Sequence, residues 1–229
     1  MCAPPILECN SKRTCPTRPY AMPLAIHHPC TQVAYSALTA LSLLAASNTS
    51  VSGTLPALLS ALSNLAILNV SSSLISGTIP PSLAAITALV VIDTSNTSIA
   101  ATLPPGLSTL TRLQALDVSS TLVNGTLPSV YSALTALTLL AASNTSLTAS
   151  IPPELLASLT SLQILDLSST HINGSIPQTA SALTALTYLD VANTSTSGSL
   201  PAALSSLSAL AVLDVSSTNI GGTIPVSDW

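Results

Sequence analysis

The chain has 229 residues, of which 5% are charged and 2% aromatic, with 17 prolines, no phenylalanine and a formal net charge of −4. That is length for one ordinary domain or two small ones, and an apolar share of 48% sets it apart from disordered chains, which are poor in hydrophobic residues. Nucleic acid is excluded as a partner, because Lys12, Arg13, Arg18 and Arg112 are all the basic residues there are, too few to neutralise a phosphate track.

The N-terminal stretch, Met1-Cys-Ala-Pro-Pro-Ile-Leu7, lacks the basic and apolar regions of a secretory leader. The expectation is a chain that starts after processing, or a part of a longer protein. Cys2, Cys9, Cys15 and Cys30 all fall in the first thirty residues, and no cysteine follows. Four cysteines allow three pairings that sequence does not choose between. Paired cysteines ahead of the remainder suggest a disulfide-stapled N-terminal cap over residues 1–34 and an oxidising compartment. The competing reading is a zinc site assisted by His27 and His28, which the absence of a close Cys-Cys knuckle disfavours.

From residue 35 onward the sequence repeats. A Gly-Thr-Leu-Pro-like tetrad occurs at 53–56, 77–80, 101–104, 125–128, 149–152, 174–177, 198–201 and 222–225. The step is 24 residues except for one of 25, where an extra residue enters the stretch Pro153-Glu-Leu-Leu156. Within each copy, triplets such as Leu116-Asp117-Val118 alternate with period two and predict short strands. After each proline, apolar residues return every third position, as in Leu83, Ile86 and Leu89 or Leu204, Leu207 and Leu210. That spacing predicts 3₁₀ or irregular turns rather than long helices. Mean hydropathy is +0.65, yet Ser, Thr or Pro interrupts each apolar run well short of the roughly 18 to 20 residues a membrane span needs. No span is predicted.

The pattern Leu-x-x-Leu-x-Val-x-x-Thr-x-Val-x-Gly-x-Leu-Pro at 113–128 resembles the leucine-rich repeat of the plant-type, 24-residue subclass. The resemblance covers about 35–229 as eight repeats. It implies an α/β solenoid: a right-handed superhelix with a parallel β-sheet on the concave side and short 3₁₀ or irregular turns on the convex side. One column departs from the plant pattern. Where that family places asparagines, this chain has Thr49, Ser73, Thr97, Thr121, Thr145, Thr170, Thr194 and Thr218, similar in this to repeats of trypanosomatid surface antigens and some algal proteins. A hydroxyl has one donor where an amide has two, so the bonding between repeats through this ladder should be thinner. At the far end no C-terminal cap is evident. A longer chain, Trp229 folding back, or head-to-tail stacking on a second copy into filaments would each cover the open edge.

Seven of ten asparagines begin glycosylation sequons: Asn48, Asn69, Asn96, Asn124, Asn144, Asn173 and Asn193. With the cysteines they predict a secreted or cell-surface protein carrying N-glycans. Strand alternation turns an acidic column of Asp93, Asp117, Asp166, Asp190 and Asp214 outward on the concave sheet. We read it as a solvated stripe, with calcium or a basic partner surface as alternatives. Beside it run Ser47, Ser71, Ser95, Ser119, Ser143, Ser168, Ala192 and Ser216, a row of small hydroxyls of the kind ice-binding solenoids use. A Ser168–His171–Asp166 grouping can be drawn, but strand alternation gives it no catalytic geometry. No phosphate loop or cofactor motif appears, so neither enzyme nor cofactor is expected. The sequence therefore predicts a non-enzymatic extracellular leucine-rich repeat glycoprotein, an interaction or self-assembly module with a protein or its own copies as partner. The alternatives are an ectodomain fragment of a receptor-like or inhibitor protein and, third, an ice-binding solenoid.

Overall fold

In the computed structural model, residues 38–224 are described. The four cysteines, His27, His28 and Trp229 lie outside that range, as do the whole of the expected cap, 1–34, and the last five residues. Each repeat contributes two short strands. The first of each pair are β1 (Leu43–Ala45), β3 (Ile67–Asn69), β5 (Val91–Asp93), β7 (Ala115–Asp117), β9 (Leu139–Ala141), β11 (Ile164–Asp166), β13 (Tyr188–Asp190) and β15 (Val212–Asp214). They pair in parallel, in sequence order, into one eight-stranded sheet. This is the sheet expected from the period-two triplets. Its middle residues, from Leu68 to Leu189, are buried.

The second strand of each repeat forms another eight-stranded parallel sheet, which the sequence reading did not anticipate. Its members are β2 (Ser52–Thr54), β4 (Leu74–Gly77), β6 (Ser98–Thr102), β8 (Leu122–Thr126), β10 (Ser146–Ser150), β12 (His171–Gly174), β14 (Ser195–Ser199) and β16 (Asn219–Gly221). These segments are rich in small and polar residues, most with a glycine, and have little intrinsic strand preference. They hold as strands because each neighbouring repeat supplies a ready hydrogen-bonding edge. The tetrad glycine lies at positive φ, +79° at Gly125, where an added Cβ would stand 2.7 Å from Thr102 Cγ2. Both the dihedral and the close approach therefore call for glycine.

The tetrad proline then starts a turn. 3₁₀ turns occupy Ala57–Ala61, Pro81–Ala85, Pro105–Thr109, Ser129–Ala133, Gln178–Ala182 and Ala202–Ser206. Proline sits at each N-cap, for example Pro80 at φ −65°. Chained bonds three residues apart run from Leu83 N to Pro80 O, Ile86 N to Leu83 O and Leu89 N to Ile86 O, at 2.9–3.0 Å. This chain of bonds is the cause of the three-residue apolar spacing, and Leu83, Ile86 and Leu89 are all fully buried. The 25-residue repeat instead forms a short α-helix, α1 (Pro153–Ser158), which buries both Leu155 and Leu156. It packs against the next turn, where the core position is the small Ala180. The core runs the length of the stack mainly in Leu, Ile and Val. Tyr131 replaces a leucine and donates its hydroxyl to Pro104 O at 3.0 Å, so its polar atom is satisfied inside the core.

Candidate interaction surfaces

The two sheets meet at a turn that contains three of the predicted columns. The ladder hydroxyls, from Thr49 to Thr218, each donate to the carbonyl three residues earlier at 2.6–2.8 Å. Seven of them also accept the amide two residues later at 3.3–3.4 Å. Both partners belong to the same repeat. The ladder is thus a staple within each repeat, and stitching between repeats passes to the backbone and to other side chains. The inner members, Ser73 to Thr194, are buried.

Just before each ladder residue the chain turns left-handed. Asn48, Ser72, Asn96, Ser120, Asn144, Ser169, Asn193 and Ser217 have φ between 52° and 54°. Asparagine tolerates this region better than most residues. Their amides donate to a carbonyl of the following repeat at 2.8–2.9 Å, from Asn48 N to Ser71 O through Asn193 N to Ser216 O. Asn and Ser alternate along this column. Asn96, Asn144 and Asn193 each donate Nδ2 to the serine hydroxyl of the preceding repeat, Ser72, Ser120 and Ser169, at 3.2–3.3 Å.

The acidic column is less solvated than the sequence suggested. Asp93, Asp117 and Asp166 are half-buried and Asp190 is buried. Each of the five turns Oδ1 back to accept the amide two residues later at 2.8–3.0 Å. Ser95 and Ser168 add their hydroxyls to the same oxygens at 2.7 Å. The carboxylates cap the strand ends, and Asn69 does the same with Ser71. Much of the serine row beside them is spent on these bonds and offers no flat exposed array. Burial raises the Asp117 pKa, partly offset by the bonds from Ser119. At the outer end Asp214 is lowered by the Ser216 bonds. The register still sets Asp93 beside Asp117, and Asp190 between Asp166 and Asp214, so one face carries the negative charge.

Asp166 and Ser168 meet, but as acceptor and donor of a strand-end cap. His171 stands exposed at the start of β12, in a shallow depression shared with Asn144 and Asn193. Among the described residues no three His, Cys, Asp or Glu side chains are grouped to hold a metal, and no helix is long and apolar enough to cross a membrane. Of the other sequons, Asn124 and Asn173 are exposed on the second sheet and Asn69 is half-buried in β3. The second sheet adds a column that sequence reading missed: Thr54, Thr78, Thr102, Thr126, Ser150, Ser175, Ser199 and Thr223, all exposed. The tetrad had displayed it throughout, but only a second sheet makes it a surface.

A leucine-rich repeat family model matches residues 161–183. No curated protein matches the chain by sequence at a significant level. Among solved structures, the chain is similar to a TDR receptor, with 34% identity and TM-score 0.81 over 83% of this chain and 33% of that one. It is also similar to the Arabidopsis receptor kinase HAESA, solved with the peptide hormone IDA and the co-receptor SERK1, at 27% identity and TM-score 0.80 over 84% of this chain and 32% of that one. A plant ice-binding protein gives 27% identity and TM-score 0.73 over 83% of this chain and 61% of that one. The chain thus spans about a third of the two receptors' length. Two parallel sheets with one 3₁₀ or helical turn per repeat, a matching repeat model and these likenesses make the chain a leucine-rich repeat protein.

Proposed function

We propose that the chain is part of an extracellular, plant-type leucine-rich repeat ectodomain of the receptor class, which binds a peptide or protein partner across the first sheet. The observation that carries this is the likeness, over more than four-fifths of the chain, to receptors, one of them solved with a peptide hormone. It favours this reading over the self-assembly expected from the sequence. The in-register carboxylates of the first sheet give the partner its chemistry: basic groups spaced to meet Asp166 and Asp214, on either side of the buried Asp190. The test is a screen of a displayed peptide library against the purified chain. Enrichment of basic peptides whose binding weakens with salt and with Asp166→Asn supports the proposal. Ligands that bind equally well after Asp166→Asn and Asp214→Asn overturn the assignment to this face.

A second reading rests on a different observation. Exposed Thr and Ser of the tetrad recur once per repeat along the second sheet, stepped by two residues between paired strands, a hydroxyl surface that the first sheet lacks, and a plant ice-binding protein has a similar fold. Thermal hysteresis that disappears on Thr126→Tyr supports it. Ice growth indifferent to the chain excludes it.

A further inference from the structure

Leu74 and Leu122 are exposed at 64% and 59%, on the second strand of alternate repeats. The repeats between them carry Ser50, Ser98, Ser146 and Ser195 at the same position. These serine-bearing repeats are the ones with asparagine in the left-handed column. Large apolar side chains and sequon asparagines therefore alternate over the first four repeats, while the sixth and eighth carry His171 and Asn219 at the leucine position. In the second sheet Ser52 is opposite Leu74, and Ala100 is opposite Leu122. One strand onward, Ser76 pairs with Ser98 and Asn124 with Ser146, so Leu74 and Leu122 and the turn asparagines Asn96 and Asn144 each lie two residues before a paired position, at the same end of the sheet. The depression that joins His171 to Asn193 displays this neighbourhood directly, two repeats further on.

We propose that Asn48, Asn96, Asn144 and Asn193 carry N-linked glycans, and that the first sugars of those on Asn96 and Asn144 cover Leu74 and Leu122. The hydrogen bonds suit the product as well as the free asparagine. Transfer replaces one Nδ2 hydrogen, lost as a proton, with a bond to the anomeric carbon of an oligosaccharide. The bond from that carbon to the diphosphate of a lipid-linked donor breaks, and the lipid diphosphate leaves with the electron pair. One N–H remains on Nδ2. At Asn96, Asn144 and Asn193 that hydrogen stays on the serine hydroxyl of the preceding repeat, which fixes the amide and directs the sugar away from it. The Asn–Ser alternation then has a cause: one repeat bears the sugar, and the repeat before it supplies the acceptor that orients it. All four asparagines are exposed.

This inference rests on the extracellular part of the proposed function and is independent of any peptide partner. The experiment expresses the full chain behind a secretion leader in a eukaryotic host. Peptide-N-glycosidase digestion in heavy-oxygen water then labels each formerly glycosylated asparagine for mass spectrometry, in the medium and in the cell-retained fraction alike. Label at the four column asparagines is expected. A folded, secreted chain with these positions unlabelled overturns the proposal while leaving extracellular export standing. For the cover, Asn96→Gln with Asn144→Gln should raise binding of a hydrophobic dye, and adding Leu74→Ser and Leu122→Ser should reverse that rise. Serine at those positions matches the neighbouring repeats, so folding is retained. Dye binding unchanged by the glutamine pair overturns the cover.

Discussion

The Tyr188 hydroxyl donates to Asp190 Oδ2 at 2.9 Å, along one strand of the acidic face. Chiefly because of this bond, the Tyr188 pKa is pushed up to about 12. A phenol whose folded pKa lies above its unfolded value stabilises the fold fully below the unfolded value, about 10, and loses that contribution as pH rises toward 12. Tyr188→Phe should cost about 1 kcal/mol at neutral pH and should flatten the alkaline decline in stability between those values. Denaturant titrations of both proteins across that range check it.

Asp117 is shifted in the same direction by a different cause. Burial raises its pKa above 3.8, so the folded chain holds its proton more tightly than the unfolded chain. Stability linked to this group is present below 3.8 and lost as pH rises through the folded value. Asp117→Asn should therefore be neutral to stabilising at pH 7, because Asn69 shows that an amide oxygen accepts the same bond at 3.0 Å. Asp117→Ala removes the acceptor and should cost about 1–2 kcal/mol. Urea unfolding of the pair separates loss of charge from loss of acceptor, and equal destabilisation by both would sink the argument.

Thr121 Oγ1 donates to Val118 O at 2.6 Å and sits 3.4 Å from the Val123 amide. Thr121→Val keeps the shape but leaves a buried carbonyl and amide without their partner, at a cost of about 2 kcal/mol. Thr121→Ser should retain most of the stability. A valine variant as stable as the parent would remove the staple from the account of the fold.

Ala101 and Ala149 occupy the tetrad position that is glycine in the other repeats, at φ +74° and +65°. A left-handed alanine costs roughly 1–2 kcal/mol, against about 0.5–1 kcal/mol for the extra unfolded-state freedom of glycine. Ala101→Gly and Ala149→Gly should each stabilise by about 0.5–1 kcal/mol and raise the melting midpoint together. The reverse change, Gly125→Ala, meets Thr102 Cγ2 at 2.7 Å and should destabilise.

The repeat period, the strand triplets and the proline-led turns were legible because each is written in apolar spacing, and burial enforces it at Leu83, Ile86 and Leu89. The second sheet was not. Segments such as Ser195–Ser199 have little side-chain pattern to read, since neighbouring backbones rather than apolar faces hold them. The acidic column was placed on the right sheet but taken for a solvated stripe. Alternation gives the side of a strand, whereas the return of Asp93 Oδ1 to the Ser95 amide depends on a turn two residues on. Thr121 was recognised as a ladder residue, yet its bonds stay inside one repeat. Hydroxyl chemistry foresaw fewer links, without showing which ones would remain.

The alternation of Asn and Ser at φ near 53° gives the surface a reading frame that the core does not have. Away from Tyr131 and the α1 turn, each repeat presents the same kind of apolar wedge to its neighbours, so there the stack can gain or lose one repeat without a mismatch inside. The exterior counts in twos. Inserting or deleting a single repeat would put two asparagine-bearing or two serine-bearing repeats side by side, whereas a pair would pass unnoticed. A lineage that varies the length of such a chain while keeping its outer pattern must do so in steps of two.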